Sequence, residues 1–173
     1  MSETLNMPST INFLSPINFK FTIKRATNVN FFVQKVNIPS LELPSVEVPS
    51  QLINIPYPGD HLTYGLLELT FKVDENLQNY LEIQNWIRSL GKLSFAEYAQ
   101  ISSKPSYTGD GIRSDLVLNV LNSTRNPNYE IIFHDAFPIQ LSSLEFNTTM
   151  STVDFLEASC AFRYTYYDIE KTT

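Results

Sequence analysis

The chain has 173 residues, which suits one domain with a sizeable core, and its 43% apolar and 13% aromatic residues favour β structure. The net charge of −6 argues against a protein that grips nucleic acid through Lys and Arg, and the single cysteine, Cys160, excludes an internal disulfide and a multi-thiolate metal site. Charged residues make up only 17%, less than is usual, which is consistent with a surface that is buried against copies of itself or a partner.

The N-terminal part of the chain predicts an arm followed by two strands. Residues 1–16 are polar and contain two prolines, so they are expected to form an arm without a core of its own. Apolar and polar residues alternate from Ile17 to Ile23, which predicts a half-buried strand, and a second strand is predicted over 31–38. No stretch resembles a signal peptide or approaches the roughly 18 apolar residues of a membrane span, so we expect a protein made in the cytoplasm.

Residues 39–60 form an extended segment that is rich in proline. Pro39, Pro44 and Pro49 recur every five residues, and this density of proline forbids a helix or a central strand. Apolar residues still alternate with Glu42 and Glu47. The segment is therefore either a surface loop or an extended arm or edge hairpin that is offered to a specific neighbour.

The middle of the chain predicts a strand and one long helix. Residues 65–73 alternate as a strand, and apolar residues then recur at three- and four-residue steps over 74–90, with Asp74 as the predicted cap and Gly91 as the stop. A short helical turn is possible at 94–101, inside a stretch, 92–113, whose later part is rich in Gly, Ser and Pro.

The C-terminal part returns to strands. Strands are predicted at 115–121 and 129–135, the chain breaks at Phe137-Pro138, and further strands follow at 139–146 and 152–168. In the last run, one face is predicted to carry Leu156, Ala158, Cys160, Phe162, Tyr164 and Tyr166. The sequence thus predicts a mainly β (α+β) fold of about seven antiparallel strands with one helix packed on it.

No catalytic, cofactor-binding or metal site is predicted. His134-Asp135 is a histidine–acid pair without the further ligands that a metal site needs, His61 has no partner nearby in the sequence, and Cys160 lies on the apolar face of a strand. A small hydrolase would require a pocket in which a histidine meets carboxylates.

Three stretches carry a resemblance to a known family: "INIPYPGD", "DAFPIQLSSLEF" and "EASCAFRYTYYDI". Together with the order of elements over residues 17–169, they resemble the contractile-tail tube proteins of T4-like phages. Relatives of that family form the inner tubes of R-type pyocins, extracellular injection systems and type VI secretion.

The resemblance implies two antiparallel sheets in a barrel-like sandwich with a flanking helix, and six copies closed into rings that stack as a tube. It implies a virion protein assembled in the host cytoplasm, with the sheath outside, baseplate and terminator proteins at the ends, and DNA passing through without specific binding. In this arrangement the Phe137-Pro138 corner would let one strand pass from the first sheet to the second.

The resemblance also suggests where subunits meet. Residues 130–173 hold seven acidic and two basic residues, so Glu145, Asp154 and Glu157 are expected to face the channel or the contact between rings. The arm (1–16) and the segment 39–60 are expected to contact neighbouring subunits. The candidate contact residues in that segment are Pro39, Leu41, Pro44, Val46, Pro49, Ile53 and Ile55.

Other functions stay open from the sequence. A tube initiator or tail completion protein would share the fold, and so would the inner tube of an injection system. A monomeric β-sandwich binding module is the alternative of a different class, and self-assembly into rings would discriminate against it.

Overall fold

The computed structural model describes residues 13–91, 95–104, 111–149 and 155–172. Within these ranges the chain forms eleven strands and three helices. In chain order they are β1 Phe19–Ile23, α1 Thr27–Phe32, β2 Val33–Val36, β3 Leu41–Glu42, β4 Ser45–Pro49, β5 Asn54–Pro58, β6 Thr63–Tyr64, β7 Leu67–Lys72, α2 Gln78–Leu90, α3 Phe95–Ser102, β8 Ser114–Leu121, β9 Pro127–Leu141, β10 Glu157–Arg163 and β11 Tyr166–Lys171.

Two antiparallel sheets share the long strand β9. The first sheet has the order β1-β8-β9-β11, and the second sheet runs from the C-terminal part of β9 through β10 and β7 to β2. Strand β9 pairs with β8 as far as Ala136 and with β10 from Phe137 onward. The mainly β, antiparallel architecture predicted from the sequence is therefore confirmed.

The strand path is open on one side. Strands β1 and β2 form the two ends of the path β1-β8-β9-β10-β7-β2, and each pairs with one neighbour among the described strands. Helix α1 connects these two end strands. The sandwich is thus a barrel with a gap between β1 and β2.

One hydrophobic core lies between the two sheets and α2. The first sheet contributes Phe21 and Phe133, the second contributes Phe71 and Phe162, and α2 contributes Trp86, all of them buried. The indole Nε1 of Trp86 donates to the carbonyl of Ile112 at 3.1 Å, so the one polar atom of this side chain is satisfied.

The predicted strand at 31–38 is wrong at its start, because residues 27–32 form α1. The backbone N–H of Ile23 donates to Oδ1 of Asn30 at 2.7 Å, and Nδ2 of Asn30 donates back to the carbonyl of Ile23 at 3.1 Å. These two bonds close the chain into a turn after β1. Val29 is fully buried, so packing against the core holds this short helix despite its strand-like composition.

The predicted helix at 74–90 begins later than expected, at Gln78, and Asp74 is not its cap. Leu77 precedes the helix with a left-handed φ of 57°. The Asn79 side chain accepts from the backbone N–H of Asp74 at 3.2 Å and donates to the carbonyl of Lys72 at 2.8 Å. Residues 74–77 therefore form a turn that Asn79 organises, while the predicted stop at Gly91 agrees with the helix end.

The structure has three helices within its described residues instead of one. Helix α3, Phe95–Ser102, confirms the short helical turn predicted at 94–101. Helix α1 is the addition that the sequence did not indicate.

The predicted break at Phe137-Pro138 is wrong, since β9 continues through both residues. Pro138 lies on the part of β9 that pairs with β10 alone, where a strand edge tolerates a residue without an N–H. The strand is nevertheless irregular around this pair: Asp135 has a φ of 55°, and the pairing with β10 shifts register between Pro138 and Gln140. Strand β9 ends at Leu141, so residues 142–146 are not strand as predicted.

The final run is two strands, not one, because β10 pairs in the second sheet and β11 pairs with β9 in the first. The chain changes sheets at Tyr164 and Thr165. The alternation shifts there, so Tyr166 is exposed and Tyr167 is half-buried, contrary to the predicted face.

Candidate assembly surface

The segment 39–60 contains a two-stranded hairpin, β4–β5. Its base is closed by the N–H of Gly59, which donates to the carbonyl of Pro44 at 2.7 Å. Its tip, 50–53, is closed by the N–H of Ser50, which donates to the carbonyl of Ile53 at 3.2 Å. Strands of five residues make the hairpin about 17 Å long.

One face of the hairpin is apolar. Val46 lies opposite Tyr57 and Val48 lies opposite Ile55, and residues that are directly opposite share a face. These four side chains are between 42% and 56% exposed, and Leu52 at the tip is 92% exposed. An isolated two-stranded hairpin is marginally stable in water at best, so this face is suited to burial against another surface.

The other face of the hairpin is polar, and its strand edges are unsuited to pairing with a further strand. The remaining pairs are Ser45 with Pro58, Glu47 with Pro56, and Pro49 with Asn54. Three of these six residues are prolines, which have no N–H to donate to an added strand. The Asn54 amide donates to the Glu47 carboxylate at 3.0 Å across this polar face.

The seven candidate contact residues in this segment fall in different places. Val46 and Ile55 share the apolar face, and Ile53 lies at the tip. Pro39 is buried at the base of the segment, whereas Leu41, Pro44 and Pro49 are exposed. The sequence reasoning missed Val48, Leu52 and Tyr57, although the alternation in "VEV" and "INIPY" could have indicated Val48 and Tyr57.

The outward face of the first sheet carries a group of acidic residues. Strand pairing places Glu130 beside Glu170 and Asp168 beside Ile132, while Asp115 projects from β8. Lys20, Lys24 and Arg113 are nearby bases: Lys24 pairs with Asp115 and Arg113 pairs with Asp135, each at 3.9 Å.

His134 lies among these acidic residues. Its Nε2 is 3.3 Å from Asp168 Oδ2, its Nδ1 is 4.0 Å from Asp115 Oδ1, and its ring stacks on Tyr166 with centroids 4.5 Å apart. Among the described residues, no group of three or more His, Cys, Asp or Glu side chains could hold a metal ion.

Two of the predicted acidic residues lie elsewhere. Glu145 is exposed in the segment after β9, and Glu157 is exposed at the start of β10, opposite Lys72 in the second sheet. Asp154 lies outside the described residues. The acidic face of the first sheet was not identified from the sequence, because it forms only when β8, β9 and β11 pair.

Phe137 and Pro138 lie where β9 changes its partner. Phe137 is half-buried against the core and pairs with Arg163, and Pro138 is buried opposite Phe162.

Cys160 and His61 lie in different surroundings. Burial raises the pKa of the Cys160 thiol to about 12, so the thiol stays protonated. His61 is exposed with Asp60 at 3.3 Å from its Nδ1.

These features define a class of protein: a β-sandwich with open sheet edges and a hairpin whose apolar face is about half exposed. The family model for phage tail tube proteins matches residues 4–170. The chain therefore belongs to the phage tail tube protein family and is a tube-type structural protein, as the sequence resemblance predicted.

Similarity to individual proteins extends over the whole chain. The chain is 26% identical to the tail tube terminator protein of Enterobacteria phage T4 over 175 residues, which cover 99% of this chain and 93% of the relative. It also resembles the tube-terminating cap of the anti-feeding prophage, with a TM-score of 0.64 and 13% identity over 99% of this chain and 100% of the cap.

A further solved structure shares the fold. The sheath–tube complex of an extracellular contractile injection system matches with a TM-score of 0.64 and 12% identity, covering 92% of each chain. Among the helices of the described residues, none has the length and apolarity that crossing a membrane requires.

Proposed function

We propose that this protein forms a ring of six copies that closes the end of the tube of a contractile phage tail. The proposal of a terminator, rather than a repeated tube subunit, is supported by the full-length similarity to the T4 tail tube terminator. The likeness of the fold to a tube-terminating cap is consistent with it.

The exposed apolar face of the β4–β5 hairpin is the observation that best supports the proposed assembly. Its four side chains are about half exposed, so burying the remainder contributes roughly 1 kcal/mol for each of them. Strands β1, β11 and β2 are sheet edges, and pairing or covering them in a ring would remove a site of aggregation.

The acidic face of the first sheet is the candidate wall of the channel. Asp115, Glu130, Asp168 and Glu170 would repel the phosphates of DNA as it passes, whereas a basic wall would bind phosphate by releasing counterions. Glu145 and Glu157 would then lie away from the channel, at the contact between rings.

The partners follow from the position at the tube end. The ring would stack on the last tube ring, with sheath protein outside it and DNA passing through without specific binding. The virion would be its location, after assembly in the host cytoplasm.

A repeated tube subunit is the second candidate. The family description and the similarity of fold to the sheath–tube complex favour it. The two candidates differ in what happens after one ring is added, because a terminator blocks further stacking and a tube subunit continues it.

Seeded assembly distinguishes them. Tubes would be grown from baseplates in the presence of the tube subunit of the same tail, with and without the purified protein. Tube lengths would then be measured by electron microscopy. A terminator shortens the length distribution, and the proposal is wrong if tubes lengthen with this protein alone. Particles that stay monomeric by sedimentation and bind no tube end would instead support a monomeric binding module.

A further inference from the structure

The β4–β5 hairpin is the outer end of a longer two-stranded ribbon that starts in the second sheet. Strands β2 and β7 pair there, and the backbone N–H of Asn37 continues the pairing by donating to the carbonyl of Glu68 at 3.2 Å. Strands β3 and β6 pair next, with Leu41 opposite Tyr64, and β4 and β5 pair last. The chain therefore leaves the second sheet along one arm of this ribbon and returns along the other.

The inner end of the ribbon is held to the rest of the protein. Oδ1 of Asn37 accepts from the backbone N–H of Glu68 at 2.6 Å, which adds a side-chain bond to the ladder. The ring of Tyr64 packs edge-on against Tyr164 and Tyr167, with centroids 5.8 Å and 5.7 Å apart. Aromatic pairs of this geometry are attractive beyond the area that they bury. Strands β3 and β6 are thus fixed relative to the core.

The outer end of the ribbon is bonded to itself. Among the described residues, every hydrogen bond and ion pair of residues 43–62 is made to another residue of the same range. All of them are exposed except Gly59, which is half-buried. The hairpin is closed at its base by Gly59 and at its tip by Ser50, without support from the core. Exposed backbone bonds and few buried contacts are the marks of a segment that moves relative to the core.

The ladder of the ribbon is interrupted between its two ends. Between the β3–β6 pairs and the β4–β5 pairs, one arm contains residues 43–44 and the other contains residues 59–62, so the arms are unequal by two residues. Among the described residues, one backbone hydrogen bond crosses this stretch, from Gly59 to Pro44 at 2.7 Å. Extra residues in one strand interrupt the pairing and bend a ribbon. Exposed residues between two paired segments are where the backbone angles of a hinge can change.

We propose that this joint, residues 43–44 with residues 59–62, is a hinge on which the β4–β5 hairpin swings as one unit while the inner ribbon stays fixed. The free protein then presents the apolar face of the hairpin over a range of directions, and contact with a partner surface selects one of them. A preformed hairpin loses orientation but little internal freedom when its face is covered, which lowers the entropy cost of association. The hinge is a property of the free protein, so its test does not require the proposed ring.

Distances between spin labels test the hinge. Each labelled protein carries Glu157→Cys in the second sheet and a second cysteine on the ribbon, either Glu47→Cys beyond the joint or Glu42→Cys before it. All three glutamates are exposed, and the buried native Cys160 stays unlabelled. Double electron–electron resonance on protein diluted with unlabelled copies gives the width of each distance distribution. We expect the distribution to Glu47 to be at least about twice as wide as that to Glu42.

A third pair of labels separates swinging from unfolding. Ser45→Cys and Leu52→Cys lie at the base and at the tip of the hairpin, and both positions are exposed. We expect a narrow distribution for this pair, because the hairpin moves as a unit. A wide distribution would show that the hairpin itself opens and would overturn the proposal.

Removing the inequality of the arms is expected to stop the motion. Deleting Asp60 and His61 leaves two residues on each arm, so the ladders on the two sides of the joint share one register, and a shift by two residues keeps every side chain on its face. We expect the Glu47 distribution of this variant to narrow to that of Glu42. Asp60→Ala with His61→Ala is the matched control. It keeps the length of the arm and removes the contact between these two side chains, so its distribution should stay wide.

The outcomes locate the motion. Narrow distributions to both Glu42 and Glu47 overturn the hinge. Wide distributions to both overturn its position, because the ribbon would then bend where it leaves the second sheet. A deletion variant whose Glu47 distribution stays wide overturns the role of the unequal arms. Each of these results is obtained on the free protein and leaves the proposed ring to the seeded-assembly measurement.

Discussion

Gly59 joins the two arms of the hairpin at its base, at a point where no side chain fits. A Cβ at this position would lie 2.6 Å from the carbonyl oxygen of Pro44, the same oxygen that accepts the Gly59 N–H. Backbone has little freedom to move away, so the hairpin base must open if a methyl group is added. The closure of the hairpin base therefore depends on this residue.

Gly59→Ala is expected to abolish or strongly reduce ring formation while leaving the core folded. Sedimentation would report the assembly, and thermal unfolding should change by no more than about 3 °C, because the core lies elsewhere. Gly91→Ala is the control, since its nearest atoms are 3.5 Å and 3.6 Å away. A Gly59→Ala protein that forms normal rings would show that the hairpin base is not required.

Cys160 provides a second test at the scale of a residue. Its pKa is raised to about 12 from 9.0, so the folded state keeps the thiol protonated where the unfolded state ionises. Its contribution to stability is present below pH 9 and falls as the pH rises from 9 toward 12. We expect iodoacetamide to modify native protein at pH 8.5 at least about a hundredfold more slowly than urea-unfolded protein. Rapid modification of the native state would contradict this burial.

The β4–β5 hairpin is an element whose sequence serves association more than folding. Its side chains take little part in the core, so its polarity can be changed without opening a cavity. Stability of the monomer and affinity between copies are therefore separable in this protein.

Replacing Val48 and Ile55 by Thr is expected to weaken ring formation by on the order of tenfold or more, because two apolar contacts become polar. The unfolding free energy of the monomer should change by less than about 1 kcal/mol. Asn54→Thr, on the opposite face, is the control and is expected to leave association nearly unchanged. Loss of monomer stability in the double variant would mean that the face packs within its own chain.

Strand alternation and the long helix were predictable from local pattern, but α1 and the course of β9 were not. The Phe31-Phe32-Val33 run favours a strand, and only the Asn30 bonds to Ile23 and the burial of Val29 turn the first part into a helix. Pro138 predicts a break, but β9 continues through it, since among the described strands it pairs there with β10 alone and its register shifts between Pro138 and Gln140.

The candidate surfaces were predictable to different degrees. The proline spacing identified the segment that becomes the hairpin, whereas its apolar face depends on the register of β4 and β5. The acidic face could not be found in this way, because Asp115, Glu130 and Asp168 come from three strands that only the fold brings together.

At the scale of the whole molecule, the two sheets differ in the charge that they present. The outward face of the first sheet carries Asp115, Glu130, Asp168 and Glu170. The second sheet exposes the acids Glu68 and Glu157 together with the base Arg163, and Glu157 lies opposite Lys72. A ring that turns the first sheet inward would give its channel a negative wall.

Glu130→Lys with Glu170→Lys is expected to convert a ring that ignores DNA into one that binds it. Mobility shifts of a short duplex at about 50 mM and 200 mM salt would show binding that weakens steeply with salt. Glu145→Lys with Glu157→Lys is the matched control and should bind at least about tenfold more weakly. The opposite ranking of the two variants would place the second sheet at the channel.

Pro49, Pro56 and Pro58 also affect how free copies of this protein meet one another. An apolar hairpin with intact edges would template fibrils at the concentrations that assembly requires. With these three edge donors missing, the hairpin can contact another surface through its side chains but is poorly suited to adding copy after copy along a growing sheet. Contacts between free copies then stay reversible, because no continuous ladder of backbone hydrogen bonds holds them together.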